Sequence, residues 1–254
     1  MDLNLTDRRV IVTGGSSGIG RATALAFAAE GARVGILSRD QAGMARTVQM
    51  AADAGFTLHS ATAEITDEAS VTDALSSLVA ELGGLDALVH CAAISGPVGR
   101  SLSCVSVDEI RETTDINIVG AFIVAKAGLP HLEAATDGTF VMIASDSAFV
   151  ASPDMVVYNA TKAAIVHMAR SLAVEWEGAG IRVNTVSPSI VDTPMARGDL
   201  GIGDEGFANV GYPVLTADDV ARGVLYLSST ASRGVNGHSL LMDFGYSARS
   251  SFPA

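Results

Sequence analysis

The 254-residue chain is short of cysteine and of basic side chains, and each shortage excludes a class of protein. Its two cysteines, Cys91 and Cys104, have no CxxC spacing, so they predict neither a disulfide framework nor a thiolate metal site, and we expect a reducing cytoplasm. Sixteen Lys and Arg against 28 Asp and Glu give a net charge of −12, which repels phosphate backbones and anionic lipids. We therefore expect no nucleic-acid partner and no membrane partner.

Long hydrophobic runs and metal-binding patterns are also missing. The longest stretch without Asp, Glu, Lys or Arg, residues 87–99, is shorter than the ~20 residues that a membrane-spanning helix needs. The first residues show no basic region followed by an apolar one, so no signal peptide is predicted. The five histidines have no HxxxH spacing and no convergent carboxylates, and we predict no metal site.

Apolar residues are abundant, at 48% of the chain, and they occur in a regular alternation. Short runs rich in Val, Ile and Ala alternate with longer stretches of helical period, which is typical of βαβ units around a parallel sheet covered on both faces. We predict an α/β fold in which a Rossmann-type, doubly wound parallel sheet of about seven strands carries helices on both faces. It would form one domain over residues 1–254, with an irregular, glycine-rich substrate lid over about 188–216.

Three finer expectations concern the helices. Asp40 is predicted to cap a helix that ends at about residue 52, and Thr66 to cap the helix over 67–82. The long helical region 107–131 is predicted to contain a break.

A glycine-rich turn, residues 13–20 (TGGSSGIG), joins the first predicted strand to the first helix. Glycines let a backbone turn tightly and approach a pyrophosphate closely, and a helix N-terminus supplies free N–H groups and partial positive charge. The GxxxGxG spacing only partly matches the GxGxxG dinucleotide fingerprint, and a tight turn without a ligand is the alternative. Its position at a first βα junction favours a dinucleotide, bound by the following residues: Gly14, Ser16, Ser17, Gly18 and Gly20.

The end of the second predicted strand indicates which dinucleotide is bound. An acidic residue there would hold the ribose hydroxyls of NAD(H), whereas this chain has Ser38 and Arg39, a hydroxyl and a guanidinium that suit a 2′-phosphate. Asp40 could serve NAD(H) instead, although its neatest role is to cap the next helix. We predict NADP(H) as the preferred cofactor and leave NAD(H) open.

Tyr158 and Lys162 are four residues apart at the start of a predicted helix, so their side chains share one helix face. A nearby ammonium stabilises a phenolate and lowers a tyrosine pKa from about 10 toward neutral pH. Tyr158 is therefore a candidate general acid/base for the interconversion of a carbonyl and an alcohol. The alternative is a surface tyrosine beside a solvated lysine, but the chain has only two lysines, so the spacing is rare by chance.

With the glycine turn and the YxxxK pair, the chain resembles the short-chain dehydrogenase/reductase family in its compact form, and the resemblance covers essentially the whole length. Ser145, thirteen residues before Tyr158, stands where that family keeps its catalytic serine. Asn117 stands where the family keeps an asparagine that holds a water in a proton relay. The resemblance implies a catalytic tetrad of Asn117, Ser145, Tyr158 and Lys162, in which Ser145 stabilises the developing alkoxide and Lys162 lowers the tyrosine pKa.

The same resemblance implies a nicotinamide cofactor and an oligomer. Further cofactor contacts are implied at the following positions: Ile19, Glu64, Ile65, Ala92, Pro188, Ile190 and Thr193, in addition to Tyr158 and Lys162. Because similar proteins are commonly tetramers, we expect a homo-oligomer, either a tetramer or a dimer. The chain departs from the family where the usual NNAG after the fourth strand is replaced by residues 90–93 (HCAA), and where the late DGG is replaced by residues 243–245 (DFG).

The substrate is less defined by the sequence. We expect residues 95–105, 146–154 and 188–213 to form the walls of the substrate site. If Asp146 faces the cavity, its negative charge would disfavour an anionic substrate. The lid offers the following side chains: Met195, Leu200, Ile202, Phe207 and Tyr212 as apolar, and Asp199, Asp204 and Glu205 as charged. Because this acidic chain lacks the basic surface on which an acyl carrier protein docks, we expect a small or medium neutral ketone or secondary alcohol. A 3-oxoacyl-ACP or 3-oxoacyl-CoA reductase is the alternative within the family, and a non-catalytic dinucleotide-binding sensor is the alternative of a different class.

Overall fold

The structure is a computed structural model, and it describes residues 3–203, 206–208 and 210–249. Its strands are as follows: β1 (Arg9–Thr13), β2 (Arg33–Ser38), β3 (Leu58–Thr62), β4 (Ala87–His90), β5 (Thr139–Ile143), β6 (Arg182–Pro188), β7 (Val191–Asp192), β8 (Leu215–Thr216) and β9 (Ser239–Met242). Its helices are as follows: α1 (Gly18–Ala29), α2 (Gln41–Asp53), α3 (Glu68–Leu82), α4 (Val107–Thr114), α5 (Gly120–Glu133), α6 (Val156–Glu175), α7 (Pro194–Asp199) and α8 (Ala217–Leu227).

Seven of the strands form one parallel sheet in the order β3-β2-β1-β4-β5-β6-β9. The predicted α/β, doubly wound sheet of seven strands is therefore confirmed. The strand order reverses direction between β1 and β4, whose last paired residues are Thr13 and His90. Ligands of open α/β sheets bind in the crevice that opens beyond the carboxyl ends of the strands at such a reversal.

Helices cover both faces of the sheet and bury two separate hydrophobic cores. Helices α3, α5 and α6 contribute residues such as Leu75, Val124 and Ile165 to the core on one face. Helices α1, α2 and α8 contribute residues such as Phe27 and Val224 to the core on the other face. With apolar packing on both sides, the sheet holds the carboxyl ends of its central strands rigidly at one edge.

The structure corrects the predicted cap of α3 and the predicted irregularity of the lid, and it defines the break predicted within 107–131. Asp67 rather than Thr66 caps α3, because its Oδ1 accepts from the backbone N–H groups of Ala69 and Ser70 at 3.0 and 3.1 Å. The segment 188–216 is not irregular throughout, since it contains β7, α7 and β8. The break predicted within 107–131 is a π-helical turn over Asp115–Val119.

Within residues 3–203, 206–208 and 210–249, no helix combines the length and the apolar character needed to cross a membrane.

Candidate functional site

One large cavity, of ≈ 830 Å³, opens at the carboxyl ends of the central strands. Such a volume is within the range of small-molecule and cofactor sites. Every residue that the sequence analysis assigned to catalysis or cofactor binding lines it, except Asn117. These lining residues are Gly14, Ser16, Ser17, Gly18, Ile19, Gly20, Ser38, Arg39, Glu64, Ile65, Ala92, Ser145, Tyr158, Lys162, Pro188, Ile190 and Thr193.

The glycine turn brings the backbone too close to its neighbours for side chains. A Cβ atom on Gly20 would lie 2.2 Å from the carbonyl oxygen of Gly14, and a Cβ atom on Gly14 would lie 2.8 Å from the backbone nitrogen of Ala92. Gly14 also has a φ of 70°, in the left-handed region that side chains disfavour. The turn therefore requires glycine at both positions to pack against β4.

The turn leaves the N-terminus of α1 facing the cavity. Ser17 is the N-cap residue, but its side chain makes no capping hydrogen bond, and no acidic residue occupies the first turn. Helix N-termini with open N–H groups bind phosphate through these donors and the helix dipole. The residues at this end of the cavity therefore fit the pyrophosphate of a dinucleotide.

Two side chains that sequence reasoning missed support the turn from behind. The Thr47 hydroxyl on α2 donates to the carbonyl oxygen of Gly15 at 2.9 Å. Arg21 donates from Nε to the Thr47 hydroxyl at 3.0 Å and from Nη2 to the carbonyl oxygen of Ser16. These contacts join α1, α2 and the turn. The two that involve Thr47 connect residues 26 or more positions apart, so no local motif could reveal them.

The residues that follow β2 lie beside the glycine turn. The Ser38 hydroxyl donates to the Ser16 hydroxyl at 3.1 Å. The Arg39 guanidinium is largely exposed and forms an ion pair with Glu64, 3.4 Å from Nη1 to Oε2. Asp40 caps α2, with Oδ1 accepting from the Gly43 N–H at 2.9 Å, and is not among the described residues that line the cavity. Arg39, not Asp40, therefore faces the cavity at the end of β2.

Tyr158 and Lys162 project from the first turns of α6 toward the sheet. The Lys162 ammonium is buried, donates to the carbonyl oxygen of Ile143 at 2.9 Å, and lies 5.5 Å from the centre of the Tyr158 ring. Ser145 lies two residues beyond the end of β5, and its Oγ accepts from the Ser147 N–H at 3.1 Å. Because Ile143 ends β5, the sheet brings the serine, the tyrosine and the lysine together in one part of the cavity.

The ionisation of this group differs from the sequence expectation. Burial raises the pKa of Tyr158 to about 12, while its hydrogen bond with Ser145 opposes the shift and the charges of Asp146 and Asp199 add to it. Burial also lowers the pKa of Lys162 to about 8. The lowering of the tyrosine pKa that the spacing to Lys162 predicts is therefore not found, because desolvation dominates the pKa of the buried phenol.

Asn117 lies in the π-helical turn and contacts the loop after β4 rather than the cavity. Its Oδ1 accepts from the Ile94 N–H at 2.9 Å, and its Nδ2 donates to the Ile94 carbonyl oxygen at 2.9 Å and to the Thr161 hydroxyl at 3.1 Å. Ile94 lines the cavity, and Thr161 precedes Lys162. Asn117 thus connects the β4 loop to the helix that carries Tyr158 and Lys162.

The far end of the cavity is formed by the predicted walls and by one segment that the sequence analysis did not assign to it. Met195, Leu200, Tyr212 and Asp199 of the lid line the cavity, as does Asp146. Ile202 and Phe207 are not among the described residues that line it, and Phe207 is buried. Asp204 and Glu205 lie outside the described residues. Asp243, Phe244 and Tyr246, which follow β9, also line the cavity; in the sequence, residues 243–245 are notable only as a departure from the family's DGG and were not assigned to the cavity.

His90 is a core residue at the end of β4. Its Nδ1 is 2.9 Å from the Thr13 hydroxyl, and burial lowers its pKa to about 3, so the ring is neutral. Within the described part of the chain, no group of three or more His, Cys, Asp or Glu side chains is arranged to hold a metal ion.

Comparisons with known proteins match nearly the whole chain. A family model described as enoyl-(acyl carrier protein) reductase matches residues 14–247. Borneol dehydrogenase, mitochondrial, from Lavandula x intermedia is 36% identical over 96% of this chain and 92% of that protein. D-threitol dehydrogenase from Mycolicibacterium smegmatis is 33% identical over 98% of this chain and 96% of that protein. The crystal structure of a short chain dehydrogenase from Burkholderia cenocepacia in complex with NADP, 30% identical, has a TM-score of 0.84 and covers 96% of this chain and 99% of that one.

The raised pKa of Tyr158 can be measured directly. We expect the ultraviolet difference between the unmodified chain and Tyr158→Phe to show no phenolate absorption until the pH exceeds about 10, the ordinary tyrosine value, because burial disfavours the anion. Circular dichroism at each pH checks that both proteins remain folded. A phenolate signal from Tyr158 at pH 8 to 9 in the cofactor-free chain would contradict this expectation.

Proposed function

The chain belongs to the short-chain dehydrogenase/reductase family and is an oxidoreductase that acts on CH–OH groups, and on that premise we propose that it interconverts a ketone and a secondary alcohol with NADP(H) as cofactor. The observation that carries this proposal is the convergence of Ser145, Tyr158 and Lys162 on the cavity whose other end is the glycine turn. A dinucleotide bound at the turn would extend along the cavity toward these three side chains.

The proposed chemistry assigns one task to each polar side chain. The nicotinamide supplies or accepts the hydride when it is bound. In reduction, Tyr158 donates its phenolic proton to the oxygen that was the carbonyl, and the Ser145 hydroxyl donates a hydrogen bond to the same oxygen as charge develops there. Lys162 orients α6 through Ile143 and places a positive charge beside the phenolate that forms. With its raised pKa the Tyr158 phenol is protonated at neutral pH, so it carries the proton that reduction requires.

Asn117 has a positioning role in this proposal. Its three hydrogen bonds to Ile94 and Thr161 keep the β4 loop and α6 at a constant separation. The second lone pair of its Oδ1 remains available for a water, which would connect Lys162 to solvent as the family resemblance implies.

The preference for NADP(H) over NAD(H) rests on Arg39. Its guanidinium lines the cavity next to Ser38 and Ser16, and its partner Glu64 holds it only through an exposed pair that is worth little. The guanidinium is therefore free to turn to a 2′-phosphate, whereas Asp40 is engaged as a helix cap. The solved relative in complex with NADP supports the same choice.

The substrate we propose is a small or medium neutral ketone or secondary alcohol. Asp146 and Asp199 line the end of the cavity near Tyr158, which opposes binding of a negatively charged acyl carrier or an anionic substrate. The relatives named for borneol and D-threitol support a neutral alcohol. A 3-oxoacyl reductase remains the second candidate, and a non-catalytic sensor would have no use for the buried lysine and the tyrosine beside it.

The remaining parts of the proposal concern the setting of the reaction. We propose that residues 1–254 act as one domain in the cytoplasm, and that the segment 188–216 serves as the lid over the substrate. This segment connects β6, at the cofactor, to α8, and it contributes Met195, Leu200 and Tyr212 to the cavity.

Replacing Tyr158 by Phe tests the catalytic proposal. We expect kcat for a panel of ketones and secondary alcohols to fall roughly 10²–10⁴-fold, the usual contribution of a general acid/base, while NADP(H) binding persists. The measurement is nicotinamide absorbance, and the matched control is Tyr226→Phe on α8, outside the cavity lining. Turnover that survives in Tyr158→Phe would contradict the proposed role. Cofactor binding without turnover of any alcohol, ketone or acyl thioester by the unmodified chain would favour the sensor.

Replacing Arg39 by Ala tests the cofactor preference. We expect the KM for NADPH to rise about 10- to 100-fold, the value of a charged hydrogen bond, with little change for NADH. Arg33→Ala is the control, because Arg33 is an exposed residue at the opposite end of the same strand. An equal change for both cofactors in Arg39→Ala would argue against a 2′-phosphate contact.

We also propose that the chain forms a homo-oligomer through α4 and α5. Val107, Val119 and Phe122 are each more than 40% exposed, and the last two lie on one helical face. A second copy would bury this apolar face, since its own matching face carries the same residues.

Light scattering after size-exclusion chromatography tests the oligomer. We expect twice or four times the 26.0 kDa of one chain, and a smaller mass for Phe122→Asp, because a buried charge without a partner opposes association. Met50→Asp, at an exposed apolar residue of α2, is the control. A monomeric unmodified chain would be the contrary result.

A further inference from the structure

Carboxylates are concentrated at the end of the cavity where Tyr158 lies. Of the described residues that line it, only Arg39 and Lys162 are basic. Arg39 is at the β2 end, where it pairs with Glu64, and Lys162 is buried against Ile143. Asp146, Asp199 and Asp243 line the end where Tyr158 and Ser145 lie. Asp146 and Asp199 both raise the pKa of Tyr158, and Asp243 raises that of Asp146, so the three carboxylates act on the same small volume.

Asp146 is the carboxylate nearest to the reaction. Ser145 donates from Oγ to Asp146 Oδ1 at 3.0 Å, and Asp146 is half-buried. A substrate oxygen that accepts the Ser145 hydrogen bond therefore lies within one side chain's reach of the Asp146 carboxylate. A substituent on the carbon next to the reacting carbon can then reach the Asp146 carboxylate.

The other two carboxylates already have donors of their own. Asp199 accepts from the Ser95 hydroxyl at 2.8 Å. Asp243 accepts from the backbone N–H groups of Gly245 and Ser247 at 2.9 and 2.8 Å. Asp146 accepts from the Ser145 hydroxyl and from the Ser147 backbone N–H, and the proposed reaction turns the Ser145 hydroxyl toward the substrate oxygen. In the reacting complex Asp146 thus keeps the Ser147 N–H but loses its hydroxyl donor, and a half-buried carboxylate without a full set of donors is costly.

We propose that Asp146 is a specificity-determining residue that accepts a hydrogen bond from a hydroxyl or ammonium group on the carbon next to the reacting carbon. This inference rests on the proposed function. The enzyme then prefers vicinal diols and amino alcohols, with their hydroxy and amino ketones, over simple alcohols, and it discriminates against carboxylates at the same position. Asp199 and Asp243 act at longer range, by favouring a positive group there and repelling a negative one.

The test compares four alcohols that differ in one substituent: 1-amino-2-propanol, 1,2-propanediol, 2-butanol and 3-hydroxybutyrate. All four carry the reacting hydroxyl on a carbon next to a methyl group, and they place an ammonium, a hydroxyl, a methyl or a carboxylate next to Asp146. We expect kcat/KM for 1-amino-2-propanol and 1,2-propanediol to be about tenfold or more higher than that for 2-butanol, because each can donate a charge-assisted hydrogen bond to the carboxylate. We expect the lowest kcat/KM for 3-hydroxybutyrate. If a compound is not oxidised, its inhibition constant against an alcohol that is oxidised gives the same comparison.

Two variants separate a role in specificity from a role in folding. Asp146→Ala should lower kcat/KM for 1-amino-2-propanol and 1,2-propanediol to the value for 2-butanol, chiefly by raising KM, because the hydrogen-bond acceptor is gone. Asp146→Asn should lower kcat/KM for the amino alcohol more than that for the diol, because the amide oxygen still accepts a hydrogen bond but carries no charge. This variant also keeps the shape of the side chain, so it serves as the test if Asp146→Ala does not fold. Asp73→Asn, an exposed residue of α3 outside the cavity lining, is the control for the loss of one negative charge.

The ratios between substrates decide the outcome. The inference is supported if kcat/KM for the diol and the amino alcohol falls to the value for 2-butanol in the Asp146 variants while 2-butanol is still oxidised. Equal kcat/KM or inhibition constants for the diol, the amino alcohol and 2-butanol in the unmodified chain overturn it and leave the proposed function intact, as do ratios that Asp146→Ala and Asp146→Asn do not change. Failure to oxidise any alcohol or reduce any ketone overturns the proposed function itself.

Discussion

The hydrogen bond from the buried Lys162 ammonium to the carbonyl oxygen of Ile143 is the interaction on which the candidate site depends. A buried cation costs much free energy unless it is bonded, so this contact strongly constrains where α6 meets the end of β5. Tyr158 lies one turn before the lysine on α6, and Ser145 lies two residues beyond Ile143. One bond therefore sets the position of both side chains that would contact the reacting oxygen. The burial that this arrangement requires also lowers the pKa of Lys162.

The charge distribution of the cavity explains how an acidic chain can bind an anionic cofactor. Its net charge of −12 repels anions in general, but the glycine turn and the N-terminus of α1 form a local positive region at one end, where Arg39 forms only an exposed ion pair with Glu64. Asp146, Asp199 and Asp243 make the other end negative. A phosphate-bearing ligand is thus oriented along the cavity before any specific contact forms. The carboxylates that orient it also raise the pKa of Tyr158, so one feature serves both orientation and protonation.

The parts of the site that could be predicted from the sequence are those built from neighbouring residues. The turn over 13–20, the pair of Tyr158 and Lys162, and the break that contains Asn117 each leave a local pattern, and the structure places the first two in one cavity. The support of the turn by Thr47 and Arg21 could not be predicted, because it joins distant segments. Residues 243–245 stand out in the sequence only as a departure from the family's DGG, because their place at the cavity depends on the pairing of β9 with the distant β6. The pKa of Tyr158 was mispredicted because spacing shows a charge nearby but not how deeply the phenol is buried.

The hydrogen bond between Ser145 and Asp146 shows how catalysis and selectivity can share one contact. A serine hydroxyl has a single proton, so it cannot donate to Asp146 and to a substrate oxygen at once. A simple alcohol that takes this donor leaves the half-buried carboxylate short of a partner, at a cost of about 1–3 kcal/mol. A substrate with its own donor at the neighbouring carbon replaces the lost bond and removes that cost. The serine that stabilises the reacting oxygen therefore makes the adjacent carboxylate sensitive to the group beside it, although neither residue alone would distinguish the two substrates.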